Sequence, residues 1–132
     1  MSLFNQVNAQ GGVLRAAMRG TALRNEIISN NIANNDVPGF RARQVDFEGT
    51  LRDALGEFPH NARSRMNMNL DHVEPTVRYR NLGFHYRIDG NSVDIEVEMV
   101  KLYQNSMKFD TLVSSMMANS ERMRNVLQAG RQ

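Results

Sequence analysis

The segment from Asp94 to Ala129 carries an apolar line that few folds can satisfy. Stepping by threes and fours from Met99 meets Met99, Leu102, Ser106, Phe109, Val113, Met116, Ser120, Met123 and Leu127. All but the two serines are apolar, and no Pro or Gly interrupts the run. The pattern predicts one long helix with a coiled-coil type of seam. At about 1.5 Å per residue such a helix reaches roughly 50 Å, whereas a compact domain of this length has a radius of gyration near ~14 Å. A helix of that length runs past its own domain, so the segment needs partners.

A second helical pattern runs from Val13 to about Asn34. On a helical wheel, Val13, Leu14, Ala16, Ala17, Met18, Leu23, Ile27, Ile28 and Ile32 cover more than half of the circumference. Arg15, Arg19 and Glu26 make one narrow polar strip. A surface helix needs an apolar arc of only about 100° or slightly more, so this one has a surplus. A buried core helix is the plain alternative, but the polar, turn-rich middle of the chain cannot enclose two long helices. Each large aliphatic left in water forfeits ~1.5–3 kcal/mol, so the surplus predicts coverage by other copies or by related chains. Ala16, Ala17, Gly20 and Ala22 allow close approach between helices. Residues 1 to about 11, with the pair Gly11-Gly12, read as a flexible leader with at most one helical turn around Leu3, Phe4 and Val7.

Between the helices the punctuation is clear. Asn34, Asn35 and Asp36 end the first helix, and Val37-Pro38-Gly39-Phe40 places Pro and Gly at the centre of a type II turn. Asp46 is placed to cap a short helix whose apolar face is Phe47, Leu51, Leu55 and Phe58. Residues 59–75 have no clear period and read as a linker. Val77 and Tyr79, then Phe84, Tyr86 and Ile88, alternate with polar residues around Asn81-Leu82-Gly83, which predicts a hairpin. The expected fold is mainly α, with long N- and C-terminal helices packed as a coiled-coil-like pair and a small irregular insertion holding a short helix and a β-hairpin. The expected divisions are 1–34 for leader and first helix, 35–92 for the insertion and 93–132 for the terminal helix.

Composition bounds the chemistry. The chain has 132 residues, no Cys and a formal net charge of +2. Thiolate chemistry is excluded, and no apolar run approaches the ~20 residues of a membrane span. The start, Met-Ser-Leu-Phe-Asn-Gln, lacks the basic and apolar blocks of a cleaved secretion signal. His60, His72 and His85 are too scattered to propose a metal, and the methionines on the helices fit adaptable packing. No nucleophile–base pair or glycine phosphate loop is present, so neither an enzyme nor a cofactor is expected.

Two stretches resemble a known family. Ser29 through Arg43, containing Asn31-Ile32-Ala33-Asn34 and Pro38-Gly39-Phe40, resembles the N-terminal signature of the bacterial flagellar rod and hook proteins. Val37 stands where that signature has Thr. Asp89 through Met99, containing Asn91, Val93, Asp94, Glu98 and Met99, resembles the same family's lead-in to its terminal helix. Asn105 and Lys108-Phe109 extend the likeness, which is strongest to the proximal-rod branch. The resemblance implies a structural subunit of the flagellar basal-body rod, polymerising through its terminal helices into a periplasmic drive shaft. Implied partners are copies of itself, other rod proteins, a membrane-ring adaptor and the flagellar export apparatus, with export that needs no cleaved signal. Phe47-Glu48-Gly49-Thr50-Leu51 resembles a short motif by which early flagellar subunits engage the export gate; packing of Phe47 and Leu51 beneath the loop is the alternative. The polymer interface is expected at Val13, Leu14, Ala17, Leu23, Ile27, Ile28, Ile32, Met99, Leu102, Phe109, Val113, Met116, Met123 and Leu127.

Two other functions fit parts of the pattern. A small helical adaptor or chaperone would bind amphipathic peptides as a discrete dimer and would not need Pro38-Gly39. A nucleic-acid module would use Arg41, Arg43, Arg63, Arg65, Arg78, Arg80 and Arg87 and bind with steep salt dependence. These arginines are interleaved with Asp and Glu, which favours ion pairing within or between subunits.

Overall fold

The computed structural model describes residues 3–56, 73–80 and 87–130. Five elements follow in order: α1 (Leu3–Ala33), β1 (Arg43–Asp46), α2 (Phe47–Gly56), β2 (Thr76–Tyr79) and α3 (Ile95–Ala129). The fold is mainly helical, with α1 and α3 packed antiparallel and the short elements gathered at one end of the pair. Antiparallel packing is fixed by two side chains. Asn105 Nδ2 donates to the Thr21 carbonyl at 2.9 Å, and Asn119 Nδ2 donates to the Val7 carbonyl at 3.2 Å. Positions 105 and 119 lie two heptads apart, as do 7 and 21, so both bonds fit one register.

The first helix starts earlier than the sequence pattern suggests. The segment expected as a leader forms the opening turns of α1, and Gly11-Gly12 does not break it. The reason lies across the interface. A β-carbon on Gly11 would lie 3.2 Å from Asn119 Nδ2, so the bare glycine lets α3 come close. The packing offsets a helix-propensity cost of about 1 kcal/mol per glycine.

Each boundary has a local cause. Asp46 Oδ1 accepts from the Gly49 N–H at 3.0 Å and opens α2, as the sequence predicts. Asp94 Oδ1 accepts from the Glu96 and Val97 N–H groups at 3.1 and 3.2 Å and opens α3. The two strands form an antiparallel ribbon with Val45 opposite Val77. Thus the partner of the Thr76–Tyr79 strand is the stretch after the Pro-Gly turn. Residues 81–86, which include most of the expected second strand, lie outside the described residues, as do the linker to 72 and Phe58. Arg41 places its guanidinium 4.9 Å from the Tyr79 ring centre, a cation–π contact on a ring that stays exposed.

The core sits where the insertion meets α1. Ala16, Ile27, Val45 and Phe47 form it, with Ala17, Leu23, Leu51 and Val73 packed around. Phe47 lies on Gly20. A β-carbon there would sit 2.4 Å from the ring's Cγ. Gly20→Ala is therefore expected to destabilise by about 1–3 kcal/mol through overpacking, although alanine is the better helix former. Gly12→Ala is the control, since the nearest atom to its β-carbon is Arg15 Nη2 at 3.9 Å. Urea denaturation of the purified subunits should show a loss for the first and none for the second.

Candidate assembly interface and its buried latch

The two sequence motifs meet in space. Asn31, near the end of α1, is fully buried and uses its whole amide. Its Oδ1 accepts from the Arg43 N–H at 3.0 Å, and its Nδ2 donates to the Arg43 carbonyl at 2.7 Å. The side chain thereby pairs with the start of β1 as a neighbouring strand would. The same Nδ2 donates to Glu98 Oε2 at 2.9 Å. Glu98, in the first turn of α3, is also fully buried. Its other oxygen receives the Arg80 guanidinium and, at 3.0 Å, Lys101 Nζ. Burial pushes the Glu98 carboxyl pKa up, but donation from Asn31, Arg80 and Lys101 outweighs it and holds the group below its ordinary value. Glu98 is therefore an ionised carboxylate that ties α1, the ribbon and α3 together.

Asn91 closes the other side of this latch. It is fully buried, and its Nδ2 lies 3.0, 2.8 and 2.8 Å from the carbonyl oxygens of Asn34, Asn35 and Val37. These carbonyls end α1 and begin the turn, and Asn91 adds a second donor to those of Val37, Arg87 and Phe40. Asn91 Oδ1 accepts from the Val93 N–H at 2.7 Å, which aims the chain into α3. The turn is the type II turn read from the sequence. Gly39 has φ of 71°, and the Phe40 N–H donates to the Val37 carbonyl at 3.3 Å. Ser92 then holds the strand entrance, its N–H on the Phe40 carbonyl at 3.0 Å and its Oγ accepting from the Ala42 N–H at 2.8 Å.

The helix seam differs from the one the apolar count predicts. The α3 side chains that hydrogen-bond α1 are Glu98, Asn105 and Asn119, one residue before the expected line. Asn105 and Asn119 are buried, and Leu112 and Val126 are half-buried. Counting apolar residues misses this because a buried Asn that bonds a backbone carbonyl is also a seam residue. A shift of one position rotates the face by about 100°. As a result the expected seam splits. Leu102, Met116 and Met123 flank the contact half-buried, as does Val113, whereas Met99 is 56% exposed, Phe109 36% and Leu127 54%. On α1, Ile27 and Ile28 are buried; Leu14, Ala17, Leu23 and Ile32 are half-buried; Val13 is 36% exposed.

The remaining motif residues divide by role. Val93 is buried beside Asn91, while Ile32, Asn34 and Phe40 are half-buried and Ala33 and Pro38 are exposed. Phe47 is buried and Leu51 half-buried at the core. The resemblance names Glu98 without a partner, and Arg80, Lys101 and Ser92 are not among the expected site residues. The signal for the buried row was present: Glu98, Asn105 and Asn119 fall at heptad spacings on one helix line.

A cleft of about 280 Å³ opens between α1, β1 and α3. Its floor is Ile27, Ile28 and Val45, and its walls carry Arg24, Arg43, Arg80, Lys101 and Lys108 against two carboxylates, Glu48 and Glu98. Glu48 is paired with Arg24, whose hydrogen bond lowers the Glu48 pKa. The cleft is basic overall and contains no arrangement suited to general acid or nucleophilic catalysis. Among the described residues, no helix is long and apolar enough to cross a membrane.

Comparison with known proteins agrees with this geometry. The family described as Flagella basal body rod protein matches residues 13–41, the stretch that includes Asn31 and the turn. The flagellar basal body rod protein FlgB of Yersinia enterocolitica is 33% identical over 123 residues, covering 86% of this chain and 90% of its own. FlgB of Escherichia coli (strain K12) is 31% identical over 138 residues, covering 97% and 99%. FlgB of Bacillus subtilis (strain 168) is 27% identical over 137 residues, covering 99% and 100%. With both ends of the latch and nearly the full length matched, the chain belongs to the flagellar basal body rod protein family, as a FlgB-like structural protein.

Proposed function

We propose that this chain is a structural subunit of the proximal rod, polymerising through its two long helices into the periplasmic shaft that transmits torque. One observation carries the reading: α3 buries Asn105 and Asn119 and leaves a row of its large apolar side chains outside. Met99, Tyr103, Met107 and Met117 are 56%, 69%, 56% and 68% exposed along α3. A discrete soluble domain gains nothing from that arrangement, whereas a polymer subunit covers the outer row with its neighbours. Those neighbours are copies of the chain and other rod proteins, with a membrane-ring adaptor at the base. Load is then shared over many helix contacts. The subunit leaves the cytoplasm through the flagellar export apparatus. Phe47 and Leu51 serve as the export-gate motif while the chain is extended, before they enter the core.

The test uses positions already in water. Met99→Asp and Met117→Asp leave the free subunit folded, but each places an unpaired charge in the assembled contact, at a cost of several kcal/mol. In a strain lacking this subunit, both variants should be exported yet give no swimming and no recovered basal bodies. Wild-type swimming from both would show that the outer row of α3 is not an interface.

A further inference from the structure

We propose that successive copies of this chain join head to tail, the acidic outer face of one α3 seating in the basic cleft of the next. The inference rests on the rod-subunit reading above and adds which two surfaces meet. Two features of the cleft define its occupant. It carries an excess of cationic side chains, and Lys108, 62% exposed, reaches Glu48 only at 3.8 Å. It also has an apolar floor of Ile27, Ile28 and Val45. The cleft therefore suits an apolar group flanked by negative charge.

The outer face of α3 offers both. Glu96, Tyr103 and Asp110 follow one another at heptad spacing and are exposed, with exposed Met99 and Met107 on the same side. The two lysines of this half of the helix, Lys101 and Lys108, lie on the cleft side instead. Tyr103 brings an aromatic ring for the Ile27, Ile28 and Val45 floor. The carboxylates to either side meet the cationic walls. Because the cleft and the acidic face lie on different sides of one helix, the contact is heterologous. Such contacts close into a ring where the rotation closes and extend as a helical array where it does not, and a rod requires the second.

The absence of Cys allows a direct test. Gln44→Cys places a thiol at the cleft and Met107→Cys places one on the outer face. In flagellated cells grown under mild oxidation, the double variant should give a ladder of dimers, trimers and longer species of this chain. Each single variant should give dimers at most. Adding Glu96→Lys with Asp110→Lys to the cysteine pair should reduce the ladder at least tenfold, while Glu121→Lys, farther along α3, should leave it intact. Dimers alone, cross-links to a different rod protein alone, or a ladder indifferent to the charge reversal would overturn the proposal. A strain that swims on the cysteine pair but shows no ladder would also overturn it, with the rod-subunit reading left standing. Failure of that reading appears separately, as basal bodies that lack the chain.

Discussion

Replacing Glu98 by Gln should destabilise the folded subunit by about 3–5 kcal/mol, a large share of the total stability of a small domain. The side chain keeps its shape and can still accept from Asn31. What it loses is the charge facing Arg80, whose side chain is 13% exposed, and Lys101. Removing one member of a buried charge cluster leaves the other members uncompensated, so the loss exceeds that of an average surface pair. The effect has a defined pH dependence. The Glu98 pKa is lower in the folded chain than its ordinary 4.5, so between those values the unfolded chain binds the extra proton. The stabilisation is therefore complete above that ordinary value and fades as pH falls through the lower, folded one. Urea denaturation of wild type and Glu98→Gln should show a wide gap at neutral pH that narrows on acidification. Equal stabilities at neutral pH would mean that Arg80 and Lys101 find water once Glu98 is gone, and that the latch is not electrostatic.

Asn91→Asp should be at least as damaging, at about 3 kcal/mol or more, despite being the smallest change in shape available. The carboxylate still accepts from the Val93 N–H. It loses both donors, however, and puts negative charge among the carbonyl oxygens of Asn34, Asn35 and Val37. Asp89, whose Oδ1 already accepts from the Asn91 N–H, adds a second carboxylate nearby. Asn91→Ala loses the same hydrogen bonds without the repulsion and leaves room for water. The order of stability should therefore run wild type, then Ala, then Asp, the reverse of the order of similarity. At low pH, protonation returns one donor to the Asp side chain, and the gap to Ala should shrink. Amide exchange at residues 34–40 reports the same order locally. If Asp is tolerated as well as Asn, the end of α1 does not depend on donors from residue 91.

These two residues show where the sequence was legible and where it was not. Local chemistry was readable because it is written in neighbouring residues. The apolar periods marked α1 and α3, Asp46 marked the start of α2, and Pro38-Gly39 marked a turn whose positive φ glycine adopts freely. The resemblance named Asn31, Asn91 and Glu98 but gave them no contacts. Asn31 meets Glu98, and Asn91 meets the carbonyls of Asn34, Asn35 and Val37, across more than fifty positions of the chain, and only the folded chain brings such positions together. The strand pairing of 43–46 with 76–79 escaped for the same reason, since the two strands are far apart in the chain. Gly11-Gly12 looked like a break because its compensation, the close approach of Asn119, belongs to another helix.

By itself, the sequence determined that there are two long helices, where they stop, and that their apolar surface exceeds what one chain can cover. Tertiary structure decided which face turns inward. Hydrophobic periodicity fixes a stripe on one helix but is blind to the partner's backbone carbonyls, and here those carbonyls of Val7 and Thr21 draw the asparagines into the seam. Hydrogen bonding is directional and depends on the register of both helices, whereas burial of apolar area is not directional. The methionine and tyrosine row is therefore left on the outside, as the surface available to a neighbour.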